Sequence, residues 1–222
     1  RNGVMQYPAL TNEPVNRFGP ELAMARTVRD LIDIPDSKVA LIKYARGGST
    51  LYGHWRADGT ADSSSDGSIY QTFQSTVNAG LASLQANHPY HEVEVVGMGW
   101  VQGESDALNL DGVQASAYET YLTAFVADVR ATYGSNLVFV LSKLSPNQSD
   151  NAYWPVIRAA QEAVAAADPR VAATETIGTN YPVASGFAEG RLHYLSSALV
   201  QIGEDLGQAF VETAALDTDG DR

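Results

Sequence analysis

Apolar residues recur along the chain in two patterns. In the first pattern they form short uninterrupted runs flanked by turn-forming residues, which is typical of strands buried on both faces of a parallel sheet. Four runs of this kind predict four strands, at residues 39–45, 93–99, 137–144 and 171–176.

In the second pattern, apolar residues repeat with helical spacing between those runs, as in Tyr118, Leu122, Phe125 and Val129. Five helices are predicted in this way, at 21–32, 69–86, 116–133, 153–167 and from about 195 onward. Alternating strands and helices pack as helices on both faces of a parallel sheet. The fold class is therefore α/β, a three-layer α/β/α sandwich with a parallel sheet.

The alternation opens on a helix, although a helix in this position of a doubly wound sheet normally follows a strand. We therefore expect the first strand to be missing upstream of Arg1. The sequence starts at this residue with neither a methionine nor an apolar leader. Residues 1–213 are predicted to form one domain and 214–222 an acidic tail or linker stub. Additional domains on either side are compatible with this division.

Composition narrows the class of partner. The chain has 222 residues, 45% of them hydrophobic and 18% charged, and no apolar run approaches the roughly 20 residues of a membrane helix. Its formal net charge of −12 would repel phosphate backbones and anionic lipid surfaces. Neither nucleic acid nor a membrane is expected as a partner. The sequence contains no cysteine, and its four histidines do not have metal-ligand spacing.

Ligands of open α/β sheets bind outside the carboxyl ends of the strands, so the residues there are the first candidates for chemistry. After the first predicted strand, Gly47 and Gly48 precede Ser49. Two glycines allow a sharp turn whose backbone N–H groups could face a developing oxyanion. The same pair could also do no more than close a tight corner.

The segment 100–106, after the second predicted strand, concentrates Gln102, Glu104, Ser105 and Asp106 in one loop. Function is favoured for Gln102 and Glu104. Asp106 could have a catalytic role or could cap the following helix, and the sequence does not decide between them. Glu104 could instead pair with a surface arginine.

His193 lies at the expected N-terminus of the last helix, after the fourth predicted strand. The helix dipole disfavours a protonated imidazole there and leaves a neutral base available. His193 is therefore the candidate general base.

Four ordered blocks of this sequence resemble the sialate O-acetylesterase-like branch of the SGNH hydrolases, which includes the acetylxylan esterases of carbohydrate esterase family 6. The blocks are Phe-Gly-Pro-Glu at 18–21, Lys-Tyr-Ala-Arg-Gly-Gly-Ser at 43–49, Trp-Val-Gln-Gly-Glu-Ser-Asp at 100–106, and Leu-His at 192–193.

The resemblance implies an SGNH, flavodoxin-like fold and a serine esterase that acts on acetylated carbohydrate without a metal or organic cofactor. It also implies that Gly48 and Gln102 hold the oxyanion, with Gly47 and Ser49 beside them, and that His193 activates the serine. A secreted or periplasmic bacterial location follows from the family's usual polymeric substrates.

The sequence departs from the family pattern at two positions of the expected catalytic triad. Nothing in residues 1–17 matches the family's Gly-Gln-Ser-Asn nucleophile block, and Gly190 stands where many members have the triad aspartate. Glu104 is the first candidate for the triad acid and Glu189 the second.

Two alternatives follow from the missing serine. The domain could bind carbohydrate or act as a scaffold without catalysis, or Ser49 or Ser105 could serve as a rebuilt nucleophile.

Overall fold

The computed structural model describes residues 18–32, 36–61, 63–183 and 192–215. Six helices and three strands occur in these ranges, with one short 3₁₀ turn at Ser63–Ser65. The helices are α1 (Glu21–Leu31), α2 (Ser68–Asn87), α3 (Glu104–Ala107), α4 (Val113–Tyr133), α5 (Trp154–Ala167) and α6 (Ser196–Ala215). The strands are β1 (Gly97–Trp100), β2 (Val138–Ser142) and β3 (Val171–Thr174).

The described sheet is parallel throughout, in the order β1-β2-β3, with Gly97 opposite Val138 and Phe139 opposite Val171. Strand β2 lies in the centre and is buried along its whole length. Successive side chains of a strand point to opposite faces. Accordingly, Phe139 and Leu141 join one apolar cluster and Val138 and Val140 join the other.

The two clusters lie on opposite faces of the sheet. The larger one is built from α2, α4, α5 and the residues around Trp55, and the smaller one from α1 and α6, which pack along each other. The predicted α/β/α sandwich is therefore confirmed. None of the described helices combines the length and apolar character needed to cross a membrane.

The prediction of a strand at residues 39–45 is wrong, since the structure assigns no strand there. Ile42 packs on α2 opposite Gly80, and the Tyr44 ring meets Trp55 edge-on, with centroids 5.8 Å apart. Among the described residues, no ladder hydrogen bonds join this segment to a strand. Its apolar pattern reflects side chains packed against neighbours, whereas a strand also requires a paired backbone.

The other three predicted strands exist but are shorter than their apolar runs. Residues 93–96 lie before β1, where the Val96 carbonyl still accepts the Val138 N–H at 3.1 Å, and residues 175–176 lie beyond β3. All five predicted helices occur within three residues of their expected bounds. The strand expected upstream of α1 lies outside the described residues, as does the acidic tail beyond Ala215.

Asp168, at the end of α5, is held by Arg130 of α4 through a two-pronged ion pair. Burial by itself would raise the pKa of Asp168, but hydrogen bonds from Arg130 and from the Arg170 N–H outweigh that effect and lower it. A carboxyl whose folded pKa is depressed stabilises the fold above its unfolded pKa, and this contribution is lost as the pH falls through the folded pKa.

We therefore expect Asp168→Asn to lower the free energy of unfolding by about 1–2 kcal/mol at pH 7. The difference from the unsubstituted protein should shrink below pH ~4, where the unfolded carboxyl is already protonated. Urea unfolding at pH 7, 5 and 3 measures this. Asp30→Asn, at an exposed pair with Arg29, is the control and should have little effect at any of these pH values. An undiminished difference at pH 3 would contradict the assignment.

Candidate active site

The turn at residues 46–50 presents two adjacent backbone N–H groups to solvent. Gly48 has φ +67°, a left-handed conformation in which a side chain would be strained. Gly47 and Gly48 are exposed, and neither N–H has a hydrogen-bond partner among the described residues. Paired N–H groups of this kind are what an oxyanion requires.

Ser49 closes this turn with its own side chain. Its hydroxyl donates to the Arg46 carbonyl at 2.7 Å and accepts from the indole N–H of Trp55 at 2.8 Å. The residue is only 6% exposed. The hydroxyl is thus engaged inside the protein, which disfavours Ser49 as a rebuilt nucleophile. Substrate contact by Ser49 stays a prediction.

Gly103 lets the chain leave β1 and enter α3 abruptly. Its φ is +140°, and a Cβ there would lie 2.8 Å from the Ile157 side chain, so a larger residue would be strained and would clash. The turn places Gln102 in the interior and Glu104 at the carboxyl end of the sheet, as predicted for a site in this fold.

The Gln102 side chain joins this loop to the Gly-Gly turn. Its amide donates to the Ser49 carbonyl at 3.1 Å and to Asp106 at 2.6 Å, and its Oε1 accepts from the Tyr118 hydroxyl at 3.0 Å. Both amide hydrogens are therefore used within the protein. Gln102 therefore makes a positioning contact next to the predicted oxyanion site.

Asp106 is fully buried and fixes the same junction. Its two oxygens accept the backbone N–H of Leu51 at 2.8 Å and of Tyr52 at 3.0 Å, besides the Gln102 amide. Burial raises the pKa of Asp106, and these three hydrogen bonds oppose the rise. Asp106 therefore ties two loops together, a role beyond the helix cap that the sequence left open.

Glu104 and His193 interact electrostatically. Burial raises the pKa of Glu104, while hydrogen bonds from its own backbone and from Gln148, and the charge of His193, act to lower it. Mutual stabilisation of a carboxylate and an imidazolium is what a triad acid provides to its base. The charge of His193 therefore reaches Glu104, while the roles of the two residues as base and acid stay predictions.

The segment that carries His193 is anchored on both sides of the histidine. Gln148 donates to the Leu192 carbonyl at 2.7 Å, and the Tyr194 hydroxyl donates to Gln148 Oε1 at 3.0 Å. Tyr194 also accepts from the Ser145 N–H, and Leu195 N–H donates to the Pro182 carbonyl. The His193 side chain itself is exposed. The backbone around His193 is therefore held in place while the residue stays exposed, and its role as the base stays a prediction.

A carbohydrate esterase family, described as sialic acid-specific acetylesterase, matches residues 5–212 of this sequence. The chain belongs to this family. It is a carboxylic ester hydrolase of the SGNH-like class, as the motif blocks predicted. No curated protein matches its sequence.

A crystal structure of a protein from Arabidopsis thaliana resembles this esterase in fold. The TM-score is 0.65 at 20% sequence identity, over 88% of this chain and 69% of the plant chain. At that identity the likeness supports the fold alone.

Two of the motif blocks that carried the prediction also contact each other in the esterase. Glu21 accepts the Gly19 N–H at 3.1 Å and pairs with Lys43 at 2.8 Å. This contact joins the start of α1 to the segment that leads into the Gly-Gly turn. The contact between these two motif blocks therefore helps to hold the candidate site in place.

Sequence reasoning missed Ser145 and Gln148, which follow β2. The rule that directed attention to the ends of the other strands applies equally to the polar segment 142–148, and it would have found them. Gln148 contacts both Glu104 and the His193 segment. It is the positioning residue between the predicted acid and base.

Glu189 and Gly190 lie outside the described residues, as do residues 1–17, where the nucleophile block was sought. Ser105 lies half-buried in α3. The roles of Gly47, Gly48, Gln102 and Ser49 in binding stay predictions, as do those of Glu104 and Glu189 as acid.

Three aromatic residues, Tyr52, Trp55 and Tyr194, lie in the segments that carry the candidate site residues. Trp55 is 4% exposed and meets Trp100 edge-on at 5.1 Å, so it belongs to the core. Tyr52 is half-buried, with its ring 5.3 Å from that of Tyr121. Burial raises the pKa of Tyr194 to about 12, with the Glu104 charge the next cause, so its hydroxyl stays protonated and able to donate to Gln148.

Proposed function

We propose that this carbohydrate esterase removes acetyl groups from a sugar or polysaccharide by a serine mechanism with an acyl-enzyme intermediate. A serine oxygen attacks the ester carbonyl while His193 accepts its proton. The sugar alcohol departs with that proton, and water then attacks the acetyl-serine, again through His193, to release acetate.

One observation carries this proposal: Glu104 and His193 interact at the end of a network that starts at the Gly-Gly turn. Ser49 follows Gly48 and accepts from Gln102, which is two residues from Glu104. In the proposed mechanism this network would link the oxyanion donor, the base and its acid. Such preorganised groups supply much of the catalysis in acyl transfer.

Each residue of this network has a proposed role. The Gly47 and Gly48 N–H groups bind the oxyanion, and Gln102 holds the Ser49 carbonyl so that the turn keeps its shape. Glu104 fixes the imidazole of His193 and stabilises its protonated form. A secreted or periplasmic location would bring the enzyme to polymeric acetylated substrates.

A fluorophosphonate probe tests the serine mechanism, because covalent labelling requires an activated serine. We expect labelling of one serine, identified by mass spectrometry of the labelled peptide. Glu104→Gln should slow this labelling by about 10²- to 10⁴-fold, because an amide cannot stabilise the imidazolium.

Glu119→Gln is the matched control, since Glu119 is exposed on α4 and lies outside the network. It should label at the unsubstituted rate. Unlabelled protein that still hydrolyses an acetyl ester would contradict the serine mechanism. Unchanged labelling of Glu104→Gln would exclude Glu104 as the triad acid.

A further inference from the structure

Three aspartates meet at a place that the proposed mechanism does not use. Asp58 and Asp66 lie in the loop between Trp55 and α2, and Asp128 lies on α4. One carboxylate oxygen from each lies within 4.8 Å of the other two. The three side chains come from two separate parts of the chain, so the tertiary fold creates the cluster.

Two of the three carboxylates are buried and keep an oxygen without a hydrogen-bond partner. Asp66 is 7% exposed and Asp128 is 0% exposed, yet Asp66 Oδ1 and Asp128 Oδ2 have no hydrogen-bond partner. Gln74 is also 7% exposed, and its Oε1 lacks a partner while its amide nitrogen lies 3.3 Å from Asp66. Unpaired buried acceptors are costly, and two on neighbouring carboxylates indicate a missing positive partner.

The protein supplies no cation to these carboxylates. In the part of the chain that the structure describes, none of the three forms an ion pair with lysine, arginine or histidine. Burial, followed by the charge of Asp128, raises the pKa of Asp66 to about 6. Like charges this close in a buried site repel each other strongly.

The other oxygens of the cluster are already oriented. Tyr70 donates its hydroxyl to Asp128 Oδ1 at 2.7 Å, which leaves Oδ2 as the free oxygen. Asp58 accepts the N–H and hydroxyl of Thr60 at 2.9 and 2.8 Å and the hydroxyl of Ser65 at 2.6 Å. Hydrogen bonds of this kind commonly fix the carboxylate ligands of metal ions.

We propose that Asp58, Asp66 and Asp128 bind a calcium ion. All the donors are oxygens, which suit a hard cation. Ligands on opposite sides of Ca²⁺ lie about 4.6–5.2 Å apart and those of Mg²⁺ only about 4.0–4.2 Å. The three oxygens, each within 4.8 Å of the other two, fit within the coordination shell of Ca²⁺. Ligands supplied by the protein itself suit Ca²⁺ better than Mg²⁺, which keeps several waters.

Such an ion would fasten the loop at 58–66 to α4. Backbone hydrogen bonds from Gly67 to the Arg56 carbonyl and from Ile69 to the His54 carbonyl close this loop at its base. The loop directly follows the segment that carries the Gly-Gly turn. The ion is structural and takes no part in the reaction.

Thermal unfolding with EDTA and with added CaCl₂ tests the site, together with calorimetric titration of calcium alone. The melting temperature of the metal-free protein should rise by about 5 to 10 °C when calcium is about 100-fold above its Kd. A parallel titration with MgCl₂ should give a smaller rise. No shift with calcium, or a shift with magnesium only, would overturn the proposal.

Asp128→Asn should abolish the calcium shift without lowering the melting temperature in EDTA, because it removes one buried charge and keeps the acceptor for Tyr70. Asp58→Asn, at an exposed position, should also abolish most of the shift and decides the matter if Asp128→Asn does not fold. Glu119→Gln, on the same helix as Asp128, should keep the full shift. A calcium shift that survives both aspartate substitutions would overturn the assignment.

Discussion

Replacement of His193 by alanine is expected to lower kcat for deacetylation by about 10²- to 10⁴-fold, the usual contribution of a positioned general base. His193 would accept the serine proton during attack and return it to the leaving alcohol. Its interaction with Glu104 would stabilise the imidazolium between these two steps. KM should change little, because this role is exercised in the transition state.

The fold should survive this substitution. The His193 side chain is exposed, and its segment is anchored through the backbone of Leu192 and the side chain of Tyr194. Circular dichroism and urea unfolding should therefore match those of the unsubstituted protein. His88→Ala, at an exposed residue that ends α2, is the control and should keep full activity. Full deacetylase activity in His193→Ala would refute the assignment of the base.

Asp106→Ala is expected to lower the free energy of unfolding by about 3–5 kcal/mol. The substitution would leave the N–H groups of Leu51 and Tyr52 and one amide hydrogen of Gln102 without acceptors in a buried site. Each unsatisfied buried donor costs about 1–3 kcal/mol. Urea unfolding measures the loss.

Activity should fall further than the folded fraction does, because Asp106 helps to hold the Gly-Gly turn against the loop of Glu104. We expect kcat per folded molecule to fall by at least about tenfold. Asp30→Ala, on the exposed side of α1, should change stability by no more than about 0.5 kcal/mol. Wild-type stability in Asp106→Ala would show that the two loops are held in another way.

The fold was largely predictable because long helices carry a strong periodic signal. The helices α2, α4, α5 and α6 each bury an apolar face in one of the two clusters, and their predicted bounds lie within three residues of the observed ones. Strands were harder to predict, since an apolar run does not say whether its backbone is paired. Within residues 39–45, Ile42 contacts α2 and Tyr44 contacts Trp55, yet the segment lies outside the described sheet.

The candidate site was also predictable only in part. His193, Glu104 and the Gly-Gly turn could be found because residue types that carry chemistry followed predicted strands. The contacts of Gln102 and Asp106 could not be found, because their partners are backbone groups more than 50 residues away. Backbone donors and acceptors have no signature in the sequence.

The sequence by itself determined the α/β class, the helix positions, the family and the candidate base of this esterase. These depend on local periodicity and on residue types in ordered motifs, both of which are written along the chain. Only the tertiary structure decided that Glu104 interacts with His193, that Gln148 lies between them and that Asp58, Asp66 and Asp128 meet. These are contacts between distant segments, fixed by the packing of helices on the sheet.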